Sequence, residues 1–263
     1  MRRTTRSAQR TVLAYHAVGR CPNGGRVHRC VCTAPAVFAQ QMAYLARRRE
    51  VVSLDDLVAG RGRGGKPAVA ITFDDGYRNV LTTALPVLRR HGFPATVFVP
   101  TRWIGDRNHW DASTDCFPLD LLDEDELRFL DEQGIAIESH GHDHLDLEAA
   151  DPPAVAADLE ASYARLAEVL GRQPRHVAYP YGHHTPLVHE AAEAAGFGHG
   201  HLFDGVEAGR YAHERVSVDG HEGRVRFALK TRGGYLARRH SWPGRAAAAI
   251  VRAGVPRPEG RRR

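Results

Sequence analysis

Cysteine is scarce: the 263 residues hold four, Cys21, Cys30, Cys32 and Cys116. That is too few for the disulfide frameworks that hold small secreted domains together. The Cys30-Val-Cys32 spacing is also wrong for a standard zinc knuckle, so the pair reads as structural or incidental. Long apolar runs are missing too. No stretch approaches the roughly twenty residues that a membrane span needs. The apolar run within MRRTTRSAQRTVLAYHAV is too short and broken for a signal-peptide core. These absences lead to the expectation of a cytoplasmic protein, at most peripheral to the inner membrane face. Without internal repeats or low-complexity blocks, one large domain is expected over residues 11–239, with a basic tail at 1–10 and a basic helix or tail at 240–263.

Acidic residues are rare at the two ends. Residues 1–10 carry four arginines and no acid, and residues 224–263 carry twelve Lys/Arg against Glu259 alone. The net charge of +5 therefore hides a body, 11–223, at −10. Two readings fit the C-terminal charge: a solvated helix with a frayed tail, or a contact with an anionic membrane or a phosphorylated substrate. No aromatic-rich nucleic-acid signature accompanies it, so nucleic-acid binding is not expected.

What the sequence does have is alternation. Strand-like runs at 11–18, 68–73, 94–100, 135–139 and 176–180 are separated by helical patterns at 35–48, 80–92, 123–134, 153–171 and 187–196; a further strand is expected near 214–218. This predicts an α/β fold with a parallel sheet. Closure into a barrel puts every strand's C-terminal end on one face. His16, Asp74 and Asp75, His140 to His144, and Tyr181 all follow such ends.

In AVAITFDDGYRN two carboxylates stand side by side at the end of an apolar run. A buried like-charged pair is costly unless a cation offsets it. SHGHDH offers His140, His142 and His144; Gly141 and Asp143 favour a turn, which brings the i and i+4 imidazoles together. Two imidazoles and one carboxylate form a common hydrolytic metal set with open positions. The second carboxylate is then free to take a proton from water that the ion acidifies. His142 reads as a surface or supporting residue rather than a third ligand. Trp103 and Trp110 suit either sugar stacking or a core or lid. His183, His184, His199 and His201 lie within reach of the site by sequence.

TFDDGY, SHGHDH and YPYG, in that order, resemble the polysaccharide deacetylase family, the NodB-homology or family 4 carbohydrate esterase domain, over about residues 11 to 220. The resemblance implies a distorted (β/α) barrel of about seven parallel strands. It also implies metal-dependent hydrolysis of N-acetyl groups on amino sugars, usually with zinc. By the same resemblance Asp75, His140 and His144 are the metal ligands and Asp74 is the catalytic base. The Tyr181 backbone N–H, following Pro180, holds the oxyanion. Three positions depart from the common pattern. Gly141 replaces a Ser or Thr, Ala178 and Tyr179 stand where an arginine often precedes the P-Y turn, and no late L-x-H element is evident. LAYHAV is similar to a branch in which an N-terminal Y-H-x-V histidine takes the acid role, which makes His16 the general acid. The expected substrate is an N-acetylated sugar or glycoconjugate, and a nucleotide- or lipid-linked one if the protein is cytoplasmic. An O-acetyl esterase on the same scaffold, or an inactive carbohydrate-binding protein, are the alternatives.

Overall fold

The computed structural model describes residues 10–19, 31–62, 65–111, 118–205, 209–220 and 222–241. Nearly all of the two basic ends, and Cys21, Cys30 and Cys116, lie outside the described residues. The strands are β1 (Arg10–Tyr15), β2 (Ala17–Val18), β3 (Cys32–Thr33), β4 (Glu50–Val51), β5 (Ala68–Phe73), β6 (Ala95–Val99), β7 (Ile135–Ser139), β8 (His176–Ala178), β9 (His199–His201) and β10 (Val216–Ser217). Seven form one curled, fully parallel sheet in the order β10-β1-β5-β6-β7-β8-β9; β4 pairs with β5, and β2 with β3 in a separate ribbon. This is the distorted (β/α) barrel architecture expected above. β1 and β5 read as continuous apolar runs because both of their faces are covered.

The helices are α1 (Pro35–Arg48), α2 (Leu54–Val58), α3 (Leu85–His91), α4 (Glu124–Glu132), α5 (Pro152–Leu170), α6 (Pro186–Ala195), α7 (Arg224–Lys230) and α8 (Tyr235–His240). In α1, Phe38, Met42 and Leu45 recur at helical spacing and are all fully buried, each contributing roughly 1.5–3 kcal/mol of burial. Asp123 and Glu126 close a reciprocal capping box on α4. The helix expected over 80–92 starts as a wide π turn at Val80–Ala84 before α3. Pro86 has no N–H for the carbonyl four residues back, and the wide turn absorbs that break.

Two features of the chain path shape the site. The strand read in 11–18 ends at His16, as expected, and the chain leaves the sheet there. β1 stays in the sheet through Tyr15↔Phe73, while the Val18 N–H donates to Asn79 Oδ1 at 2.8 Å and β2 pairs with β3. The segment after 198 contains β9, α7 and α8, none of which has a clear sequence pattern. There the chain changes partners. Leu202 and Asp204 N–H groups donate to the His213 and Arg215 carbonyls beside β9, and β10 then pairs with β1 at Leu13↔Val216. Residues 213–217 thus form the seam that curls the sheet. Fully buried Lys230 fastens α7 beneath it, paired with Glu222 and donating to the Ser217 carbonyl at 2.5 Å. Cys32 is disulfide-bonded, so this cysteine is structural rather than incidental.

Candidate active site

The cleft at the C-terminal ends of the strands has a volume of about 360 Å³ and is lined by His16, Asp74, Asp75, His140, His144 and Tyr181, among others. Six of the seven residues to which the sequence assigns a ligand, base, acid or oxyanion role therefore share one cavity. The seventh, Pro180, is buried and does not line it; it opens the short 3-10 turn Pro180–Gly182 that carries Tyr181.

Asp75 sits at the centre. Its Oδ1 lies 3.3 Å from Nε2 of both His140 and His144. Among the described residues these three form the one group of His, Cys, Asp or Glu with ligand atoms all within 4.8 Å of one another. Ligands of a tetrahedral ion at about 2.0–2.2 Å lie roughly 3.3–3.5 Å apart, and both Asp75–imidazole separations match that spacing. His140 Nδ1–H donates to the Ala178 carbonyl at 2.8 Å, which fixes the ring with Nε2 toward Asp75. Trp110 stacks on His144 at 4.4 Å, and Tyr181 meets the same ring edge-on at 4.9 Å.

The cost of this arrangement shows in the backbone. Four described non-glycine residues have a left-handed φ, and three of them are Asp75 (68°), His144 (60°) and Tyr181 (61°). Such residues each store about 1–3 kcal/mol and persist where surrounding contacts hold them. Those contacts are specific. Asp158 on α5 is buried and accepts from the backbone N–H groups of His142 (2.9 Å) and Asp143 (2.7 Å), while Ser139 Oγ accepts from Gly141 N–H. A Cβ at Gly141, itself at φ +75°, would stand 2.7 Å from Asp158 Oδ2. The glycine that replaces the more common Ser or Thr is therefore required, and the loop is ordered from α5 instead. His142 points away from the ligand group, with Nδ1 2.8 Å from Thr101 Oγ1.

Asp74 makes a different pairing. Fully buried Arg215 grips it bidentately, at 2.5 Å (Oδ1) and 2.9 Å (Oδ2), while donating through Nε to the Leu202 carbonyl and lying over the Phe98 ring. Arg215 lies on the seam, in the stretch Glu-Arg-Val-Ser-Val, and sequence reading missed its role. It supplies from the last strand the guanidinium that Ala178 and Tyr179 do not. Its only sequence signal is an arginine inside an otherwise strand-like run.

These pairings set the charges. Burial pushes both aspartates upward. For Asp74 the charges of Arg215, His140 and His16 outweigh it, and the carboxyl is held below the usual range. For Asp75 the His140 and His144 hydrogen bonds outweigh it, and the carboxyl falls well below that range. Burial pushes His140 down, but the two aspartates raise it overall; at His144 burial prevails and the imidazole is lowered. Both carboxylates are thus ionised at neutral pH, two anions beside two imidazoles.

His16 also lines the cleft, edge-on to Phe203 at 5.6 Å, and its charge acts on both Asp74 and Asp75. A second groove of about 530 Å³ shares Trp110, His144 and Tyr181 with the cleft and continues past Trp103 and His183. His199 and His201 do not line the cleft; their places at the start and end of β9 put them with His176 and His213 instead.

The family profile for polysaccharide deacetylases matches residues 61–199, just over half of the chain. The chain is 28% identical over 220 residues to YxkH of Bacillus subtilis, covering 82% of this chain and 74% of that one. It is 27% identical over 150 residues to the poly-beta-1,6-N-acetyl-D-glucosamine N-deacetylase of Staphylococcus aureus, covering 52% of this chain and only 49% of the relative. Among solved structures, the Streptococcus pyogenes deacetylase PplD superposes with a TM-score of 0.70 at 20% identity, over 84% of this chain and 97% of that one. With the matched profile spanning both the paired aspartates and the histidine turn, the chain belongs to the polysaccharide deacetylase family.

Proposed function

We propose that this chain is a metal-dependent hydrolase that removes N-acetyl groups from an amino-sugar glycan. The observation that carries the reading is the ligand group Asp75, His140 and His144 beside a second, ionised carboxylate locked by Arg215. Those three residues would hold the cation, most simply Zn²⁺ given two imidazoles and a carboxylate. When bound, such an ion supplies Lewis-acid polarisation of an acyl oxygen and acidification of water.

The chain's own residues supply the rest. Asp74 accepts the proton of the attacking water, and Arg215 fixes the carboxylate plane so that an oxygen keeps one orientation. The Tyr181 backbone N–H is the donor to the developing oxyanion, a role suited to a residue held at φ +61° on a short turn. His16, lining the same cleft, returns a proton to the leaving nitrogen. The groove continuing past Trp103 and Trp110 favours an extended glycan over a single sugar, and the S. aureus relative's substrate is a polymer of that kind. No helix of the described residues is long and apolar enough to cross a membrane. The Cys32 disulfide suits an oxidising compartment better than the cytoplasm expected from sequence.

The test is acetate release from N-acetylglucosamine oligomers beside an O-acetylated sugar, with Asp74→Asn and His16→Ala as controls. Release from the amide substrate, lost in both variants while bound metal is retained, is the expected result. Release only from the ester would assign the chain to the O-acetyl esterases, and no release from either would leave a carbohydrate-binding protein.

A further inference from the structure

Away from the catalytic cleft, α1 and α7 enclose a second cavity of about 340 Å³ that shares no lining residue with it. The volume is in the small-ligand range. Its wall contains Gln41, only 5% exposed. The Gln41 Oε1 accepts from Tyr15 Oη at 3.0 Å, while Nε2 is buried with no hydrogen-bond partner. That nitrogen has no accessible surface, so it lies beneath the wall, where the Glu222 carboxylate oxygens are also without a hydrogen-bond partner.

The rim shows what kind of ligand the cavity suits. Arg47, Arg48 and Arg224 are exposed and line the cavity, and among the described residues none of them pairs with a carboxylate. Arg47 donates only to the Ala43 carbonyl of its own helix, and Arg224 to Gln40 Oε1. The one acid on the wall, Glu222, is already matched by buried Lys230 and by Arg226 at 3.6 Å. Between rim and floor, Tyr44 and Phe227 meet edge-to-face at 5.8 Å and offer an apolar wall. The chain's own ends are poor occupants: residues 1–9 carry three arginines and no acid, and residues 242–263 carry six arginines against one glutamate, so the rim repels them.

We propose that this cavity binds a small oxyanion-bearing ligand, a phosphate or carboxylate carried on a ring-sized body, with the anion at the rim arginines and the ring against Tyr44 and Phe227. Guanidinium forks match phosphate and carboxylate geometry. The inference does not rest on the deacetylase reading, since no catalytic residue takes part.

The experiment is calorimetry on the full, metal-loaded chain at low ionic strength with glucose 6-phosphate, glucuronate, inorganic phosphate, neutral glucose and phosphatidylglycerol vesicles. Binding of the sugar phosphate or the uronate is expected, and which of the two is tighter identifies the anion. It should weaken at least tenfold in Arg48→Glu/Arg224→Glu and at 0.5 M salt, stay unchanged in Asp74→Asn, and leave basal acetate release of the double variant intact. Should charge reversal impair folding, Arg47→Gln provides a milder loss of the same sign. Equal binding of glucose, binding of vesicles alone, no binding at low salt, or full binding by the arginine variants each overturns the proposal.

Discussion

The molecule holds two histidine clusters on one curled sheet, and they behave oppositely. At the C-terminal strand ends, His140 and His144 turn toward Asp75, which lies 3.3 Å from each. Near the starts of β8 and β9, His176, His199, His201 and His213 form a closed circuit with ring centroids 5.0–5.2 Å apart. There the imidazoles bond to each other, His176 Nδ1 to His201 Nε2 at 2.9 Å and His199 Nδ1 to His213 Nε2 at 3.1 Å. The nearby carboxylate, Asp55, caps only the outer nitrogen of His176. Burial and mutual repulsion push His199 and His213 down to about 4, and His201 well below its ordinary value. His199, His201 and His213, packed without a central anion, are held uncharged; two imidazoles around one carboxylate make a candidate cation site. The position of the carboxylate decides, not the number of histidines.

The largest effects should come from removing that anion or its neighbour. Asp75→Ala should abolish cation binding and acetate release together, whereas Asp74→Asn should keep the cation and lower kcat by about 10²–10⁴-fold; metal content measured beside turnover separates them. Arg215→Met comes next. It leaves a buried carboxylate unpaired, with an expected stability loss of about 3–5 kcal/mol in denaturant melts. Because Arg215 is among the groups that hold Asp74 low, the acid limb of the kcat/KM profile should move to higher pH. An unmoved limb would reduce Arg215 to a packing role. Gly141→Ala forces a Cβ to 2.7 Å from Asp158 Oδ2 at φ +75°; the expected result is a 10–100-fold weaker cation affinity by competition with a chelator.

The smallest effect on catalysis belongs to the quartet, which should show itself in stability instead. Unfolded imidazoles take up protons near pH 6.5, whereas folded His199 and His213 wait until about 4. In that window the unfolded state binds more protons, so stability is full above about pH 6.5 and falls as pH drops toward 4. Thermal melts of His199→Gln/His213→Gln should lose the share of that slope that these two residues carry, His201 keeping its own, while acetate release stays within about twofold at pH 7, a margin small beside the effects of acid–base groups.

Much of this was legible in the sequence. The apolar runs of β1, β5, β6 and β7 rest on local chemistry, and TFDDGY and SHGHDH carry their residues within six-residue spans. What was hidden depends on contacts across the sheet. Arg215 reaches Asp74 over 141 positions, and Asp158 orders the histidine turn from a helix that reads only as amphipathic. β9 is the three residues His-Gly-His, held by its neighbours rather than by any β propensity. The quartet was invisible because pairing of β8 with β9, not spacing, brings His176 beside His199.

The most direct measurement is the metal stoichiometry of the purified chain, by elemental analysis, for the wild type, Asp75→Ala and His199→Gln/His213→Gln. One divalent ion per chain, absent only in Asp75→Ala, is the predicted result. An ion that persists in Asp75→Ala, or that disappears with the quartet, would contradict the assignment of the cation to Asp75, His140 and His144.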